Sequence, residues 1–93
     1  MSEVTRKLRI HGEVQGVFYR AWSVETARSL GLCGWVRNRR DGSVEMVVRG
    51  EDETVRQFVE RCREGPPAAR VDRIDIEDAT EEVPAGFEKR PSA

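Results

Sequence analysis

Histidine occurs once in this 93-residue sequence, at His11, and cysteine twice, at Cys33 and Cys62. A Ser-His-Asp arrangement has little to draw on when the only imidazole, on the strand-like stretch next to Ile10, reads as a surface residue. Two cysteines so far apart make neither a disulfide framework nor a metal-ligand pair. Cys62 falls on an apolar helical stripe, where a buried reduced thiol is expected. No HExxH, no CxxC and no cluster of carboxylates for a divalent ion is present. The formal net charge is −1, so the basic excess of a nucleic-acid binder is missing. There is no long apolar run to cross a membrane and no apolar stretch behind Met1-Ser2-Glu3 to act as a leader, so a cytoplasmic location is expected and membrane attachment is not.

What remains is 38% hydrophobic and 35% charged, the balance of a folded, well-solvated domain. The length fits one domain, 1–93, and a chain this short buries only roughly two-thirds of the surface its unfolded form exposes. A basic run, Arg37-Asn38-Arg39-Arg40, and an acidic stretch from Glu77 to Glu82 stand out. Both suit a solvated surface, and the basic run could also draw a small anion toward a nearby site.

Periodicity gives the elements. Val4 to Val14 alternates, with Leu8 and Ile10 on one face and Lys7, Arg9 and His11 on the other, which predicts a half-buried strand. A loop of small residues follows, with Gly12 and Gly16 free to adopt unusual backbone angles beside a ligand. Tyr19 to Leu30 predicts a helix with Tyr19, Trp22, Ala27 and Leu30 on one face and Gly31 as its stop. Cys33 to Asn38 is a second strand, with Val36 inward. Arg40-Asp41-Gly42-Ser43 is a hairpin turn. Val44, Met46 and Val48, alternating with Glu45 and Arg49, form a third strand ended by Gly50. Asp52 to Glu64 carries Val55, Phe58, Val59 and Cys62 at i, i+3, i+4 and i+7, acidic residues at its start, and Gly65-Pro66-Pro67 at its end. Val71 to Glu77 is a fourth strand, and Phe87 anchors a short edge strand. The order β-α-β-β-α-β is that of an α+β, ferredoxin-like split βαβ fold: an antiparallel sheet with two helices on one face.

Fold alone gives no function. The strand–loop–helix junction ending at Tyr19 and Arg20 presents free N–H groups and a positive dipole end, the elements of a phosphate site. Arg20 sits in the first helical turn, where a cation opposes the macrodipole by ~0.3–1 kcal/mol. A bound anion would reverse that sign, and local rules tend to be broken at functional positions. Asn38 ends the second strand. It reads either as a turn residue or as an amide that donates to a phosphoryl oxygen and accepts from water. The split βαβ order puts the first strand beside the third and the third beside the second, which brings the two regions near each other.

The stretch Ile10-His11-Gly12-Glu13-Val14-Gln15-Gly16-Val17-Phe18-Tyr19-Arg20 resembles the first signature of the acylphosphatases, G-x-V-Q-G-V-x-[aromatic]-R. Gly34-Trp35-Val36-Arg37-Asn38, with Gly42, Val44 and Gly50, resembles the second. The likeness runs to about Ile76. It implies that Arg20 is the phosphate-binding arginine and Asn38 the water-orienting asparagine. It also implies that the main-chain N–H groups of Gln15, Gly16, Val17, Phe18, Tyr19 and Arg20 cradle the phosphate. The implied activity is hydrolysis of acyl phosphates to carboxylate and phosphate, with no metal or cofactor, small oxyanions as inhibitors and a monomer as the working form. Tyr19 stands where the pattern usually has Phe, and its hydroxyl needs a partner if buried. Arg39 stands where some members carry a small hydroxyl residue. Two other classes are weighed against this one: a non-catalytic phosphate-binding module, and an RNA-binding sheet. The third strand, Val44-Glu45-Met46-Val47-Val48, has no aromatic residue for stacking bases, which opposes the RNA reading.

Overall fold

The computed structural model describes residues 2–93. Seven elements follow in the order β1 (Glu3–Glu13), α1 (Tyr19–Ser29), β2 (Cys33–Asn38), β3 (Val44–Glu51), α2 (Asp52–Glu64), β4 (Arg70–Asp78) and β5 (Phe87–Lys89). They build an α+β, ferredoxin-like fold. The sheet order is β4-β1-β3-β2-β5, with β1 and β3 central and adjacent as the split βαβ pattern requires. The sheet is mixed rather than antiparallel throughout, because β5 lies parallel to β2. Strand β3 runs through Gly50 to Glu51, which pairs with Glu3. Gly50 is needed for space rather than as a stop, since a Cβ there would lie 2.3 Å from Leu32 Cδ2.

Alternation puts Leu8 and Ile10 of β1, Val36 of β2 and Val44, Met46 and Val48 of β3 on one face, where they meet Tyr19 and Ala27 of α1 and Val55, Phe58 and Cys62 of α2. Phe87 of β5 closes this core edge-on to Phe58, with ring centroids 5.9 Å apart. Each such large side chain contributes about 1.5–3 kcal/mol through burial. The stripe of α2 is the one its spacing predicts. On α1 the fully buried line is Tyr19, Ser23 and Ala27, at i, i+4 and i+8, with Trp22 and Leu30 only half-buried. Ser23 can lie there because its Oγ donates to the Arg20 carbonyl at 2.8 Å. Helix α1 ends as Gly31 enters the left-handed region at φ 72. Its N–H then bonds the Arg28 carbonyl while Leu32 N–H bonds that of Ala27, the paired closure of a Schellman turn.

The other face of the sheet is not simply solvated. Glu45, on central strand β3, faces Arg9 of β1 and Arg37 of β2 directly in register. It is only 3% exposed. Arg37 Nε donates to its Oε1 at 2.8 Å and Arg39 Nη1 at 3.3 Å, and Arg9 Nη2 lies 3.7 Å from Oε2. Burial alone would raise the pKa of this carboxyl, but the three guanidinium groups outweigh it and hold the pKa below the usual carboxylate range. Trp35 is covered on the same face by Arg37 and Arg90, each 4.9 Å from the ring centroid.

One bond ties the two helices at the start of α1. The Tyr19 hydroxyl donates to the Cys62 carbonyl at 2.6 Å. Four residues beyond Cys62 stands Pro66, which has no N–H to complete that helical bond. The hydroxyl supplies the missing donor. Burial raises the Tyr19 pKa far above the ordinary phenol value and pushes the Cys62 thiol up to about 12, so both stay protonated at neutral pH. Replacing Tyr19 with Phe leaves a buried carbonyl unpaired and is expected to cost about 1–3 kcal/mol, measured as a lower urea midpoint with an unchanged m-value. A Tyr19→Phe protein as stable as the parent would show that the carbonyl is satisfied otherwise.

Candidate active site

The site grows out of the chain between β1 and α1. A bulge between His11 and Gly12 ends the regular register of β1 with β4. Gly12, at φ 132, lies so close to the Arg70 carbonyl that a Cβ would overlap it. Its smallness therefore serves strand packing, not ligand approach as the sequence suggested. Val14 is buried and anchors the loop from inside. Gly16 then turns left-handed at φ 75, with open space where a side chain would be. Phe18, a non-glycine residue that is 81% exposed, does the same at φ 66 and ψ 20. A left-handed residue with a Cβ costs about 1–2 kcal/mol, and such strain tends to persist where function needs the shape. Among the described residues, no backbone or side-chain acceptor pairs with the N–H groups of residues 15–20. No acidic residue lies in the first turn of α1, and no side chain caps it. Free N–H groups at a helix start make an anion-binding concavity.

The loop is held against the β2–β3 hairpin by one side chain. Gln15 Nε2 donates to the Arg39 carbonyl at 2.7 Å and to the Ser43 carbonyl at 2.8 Å. The hairpin is itself closed by Asp41, whose Oδ1 accepts from the Ser43 N–H at 2.9 Å and the Ser43 hydroxyl at 2.6 Å. Those two bonds hold the Asp41 pKa below its usual value. Just before the turn lies Asn38, paired in register with Val44.

Arg20 and Asn38, eighteen positions apart in sequence, line one cavity of about 260 Å³. Gly16, Phe18, Tyr19, Val14, Ala21 and Lys89 complete it. Asn38 Oδ1 is buried with no hydrogen-bond partner among the described residues. An unpaired buried acceptor costs about 1–3 kcal/mol, a cost that a water or ligand donor in the cavity removes. Gln15 and Val17 of the expected cradle do not line the cavity, and Gln15 instead spends its side chain on the hairpin. The arginines of the basic run do not line the cavity either. Arg37 and Arg39 turn to Glu45 on the opposite face, and Arg40 is exposed. His11 pairs with Asp75 at 3.0 Å, in a separate cleft with Lys7, Arg9 and Arg73. Lys89 is a cavity residue that the sequence reading missed. Its signal was parity: two residues after buried Phe87 on a strand, it shares the helix-covered face.

The profile of the acylphosphatase family matches residues 6–89. The chain belongs to the acylphosphatase family. An acylphosphatase from Rhizorhabdus wittichii is 52% identical over 91 residues, covering 98% of this chain and 92% of the relative. Among solved structures, an acylphosphatase from Coxiella burnetii superposes with a TM-score of 0.90 at 36% identity, covering 95% of this chain and 93% of that one. The Bacillus subtilis acylphosphatase gives 0.89 at 31% identity, covering 94% and 98%. The split βαβ order and both sequence signatures thus agree with membership of this family.

Gln15→Ala removes both bonds between the loop and the hairpin. At about 0.5–1.5 kcal/mol for each hydrogen bond, urea unfolding should show a loss of roughly 1–3 kcal/mol. Exchange of the two amides that are hydrogen-bonded on the joined segments, Trp22 N–H to the Phe18 carbonyl and Arg39 N–H to the Ser43 carbonyl, should quicken relative to α2. Unchanged stability and exchange would mean that the loop is fixed without Gln15.

Proposed function

We propose that this acylphosphatase-family chain hydrolyses acyl phosphates, cleaving a carboxyl–phosphate anhydride to a carboxylate and inorganic phosphate. The observation that carries the reading is the single cavity shared by Arg20, Asn38 and the loop that ends in α1. In this reading the N–H groups of residues 15–20 and the Arg20 guanidinium hold the non-bridging phosphoryl oxygens. Fixed donors around developing charge are the main source of rate when the protein supplies no covalent chemistry. The Asn38 amide donates to a phosphoryl oxygen through its N–H and accepts from the attacking water through its carbonyl oxygen, aiming that water in line.

The bond from water oxygen to phosphorus forms as the bridging P–O bond breaks, and the carboxylate leaves with the electron pair. A carboxylate is a good leaving group and needs no acid behind it. No carboxylate or imidazole lines the cavity, so the proton of the water passes to a phosphoryl oxygen of the substrate. A requirement for an enzyme carboxylate or for His11 as base, seen in the pH profile, would oppose this step. The cavity's charged groups are Arg20 and Lys89, a cationic lining that repels a divalent ion. The reaction is accordingly read as metal-independent, with phosphate and similar oxyanions as competitive inhibitors and a monomer as the working unit.

Release of phosphate from acetyl phosphate should survive excess EDTA, and chelator-sensitive turnover restored by magnesium or zinc would sink the metal-free scheme. Saturating inorganic phosphate should raise the stability of the wild type, by roughly 2.7 kcal/mol at a hundred times Kd. Arg20→Ala should lose most of that protection, and Arg20→Lys should regain little, because an ammonium lacks the bidentate fork. Equal protection of wild type and Arg20→Ala would remove Arg20 as the anchor. Asn38→Ala should lower kcat by about 10²–10³ while phosphate affinity, which loses one donor among several, falls far less, the pattern of an interaction made mainly in the transition state. A near-normal kcat would remove Asn38 from the mechanism.

A further inference from the structure

Most of the chain's cations are matched with a carboxylate. Among the described residues those without one are Arg20, Arg28, Arg40, Arg61 and Lys89. Arg20 is accounted for by the phosphoryl group in the function proposed above. Of the others, Lys89 lines the same cavity, and Arg28 shares a neighbouring groove with it. A second groove, of about 430 Å³, runs along α1 and is lined by Ala21, Val24, Glu25, Arg28 and Lys89. Ala21 and Lys89 line both this groove and the Arg20–Asn38 cavity, so the two spaces are contiguous across those residues.

The groove has a definite chemistry. Ala21 and Val24 sit one turn apart on α1 and give it an apolar floor. Lys89 stands where the groove meets the phosphate cavity, and Arg28 lies farther along, fixed by a 3.1 Å hydrogen bond from its Nε to the Phe87 carbonyl. Parallel pairing of Lys89 with Val36 sets the lysine on the strand neighbouring β2, two residues before the level of Asn38. Glu25 is the groove's single carboxylate, so Lys89 and Arg28 leave it with a net positive charge. An acyl chain attached to a phosphoryl group in the cavity passes these residues if it extends over α1.

We infer that the groove over α1 is the subsite for the acyl group, and that Lys89 selects acyl phosphates whose chain ends in a second negative charge. This rests on the acyl-phosphate reading of the adjoining cavity. An exposed cation contributes a modest, salt-screened preference, mainly through binding rather than chemistry. The test is a comparison of succinyl phosphate with butyryl phosphate, which have the same chain length and differ by the terminal carboxylate.

Wild type at low salt should favour succinyl phosphate about two- to fivefold in kcat/KM, through KM, with the preference shrinking at high salt. In Lys89→Ala the ratio should fall to about one, and in Lys89→Glu it should invert. Lys89 is exposed on the three-residue edge strand β5, so neither change removes a core contact. A ratio that is the same in wild type and both variants overturns the subsite. So does an equal loss for both substrates in Lys89→Ala, which would place the lysine on the phosphoryl group instead. If wild type turns over neither substrate, the acyl-phosphate reading fails and the subsite with it. Turnover of butyryl phosphate with an insensitive ratio removes the subsite alone.

Discussion

The two hydrogen bonds from the Gln15 amide to the Arg39 and Ser43 carbonyls join parts of the chain that come from different supersecondary units. The loop with its free N–H groups belongs to the β1–α1 connection. Asn38 belongs to the β2–β3 hairpin. In the proposed function neither arrangement alone suffices, because one would lack a positioned water and the other an anchor for the phosphate. A carboxamide that donates twice fixes their relative position with a single short side chain, and in the proposed scheme, which uses neither a nucleophilic side chain nor a metal, positioning of this kind supplies most of the rate. The strain at Phe18 fits the same constraint. The loop must curl within a few residues to gather its N–H groups, and the rest of the fold holds it in that shape.

The surroundings keep both halves rigid. Below the start of α1, the Tyr19 hydroxyl meets the carbonyl that Pro66 leaves open, so the helix carrying Arg20 is fastened to the end of α2. Behind β2, the Glu45 carboxylate draws Arg9, Arg37 and Arg39 together across three segments of chain. That cluster packs the sheet face opposite the cavity and holds the strand that ends at Asn38. Its depressed pKa carries a sign. The stability it contributes is present above the pKa of an unfolded glutamate and is lost as pH falls through the lower folded value. Acid should therefore loosen the hairpin side of the site.

Much of this was legible in the sequence. The stripe on α2, the alternation of β1 and β3 and the Asp-Gly turn each follow from a local period or a local turn preference, and each is present. Arg20 stood out because a cation opposed the helix dipole, and it does line the cavity. What was not legible depends on contacts between distant segments. Glu45 alternates outward as expected, yet it is buried, because arginines from two neighbouring strands and a turn close over it. Strand β5 is three residues long and pairs parallel with β2, so its place and the presence of Lys89 in the cavity are set by tertiary packing. The bulge that gives Gly12 its role is likewise a matter of register with β4. Gln15 was read for its main chain, and nothing in local sequence shows where its side chain reaches.

The central claim is that a water held by Asn38 attacks phosphorus while Arg20 and the loop hold the phosphoryl oxygens. Hydrolysis of acetyl phosphate in ¹⁸O-labelled water under single-turnover conditions tests it most directly, with mass spectrometry of both products. Attack at phosphorus puts the label in inorganic phosphate and leaves the acetate unlabelled. Label in the acetate would mean attack at the carbonyl carbon, and would contradict the roles given to Arg20, Asn38 and the loop that joins them.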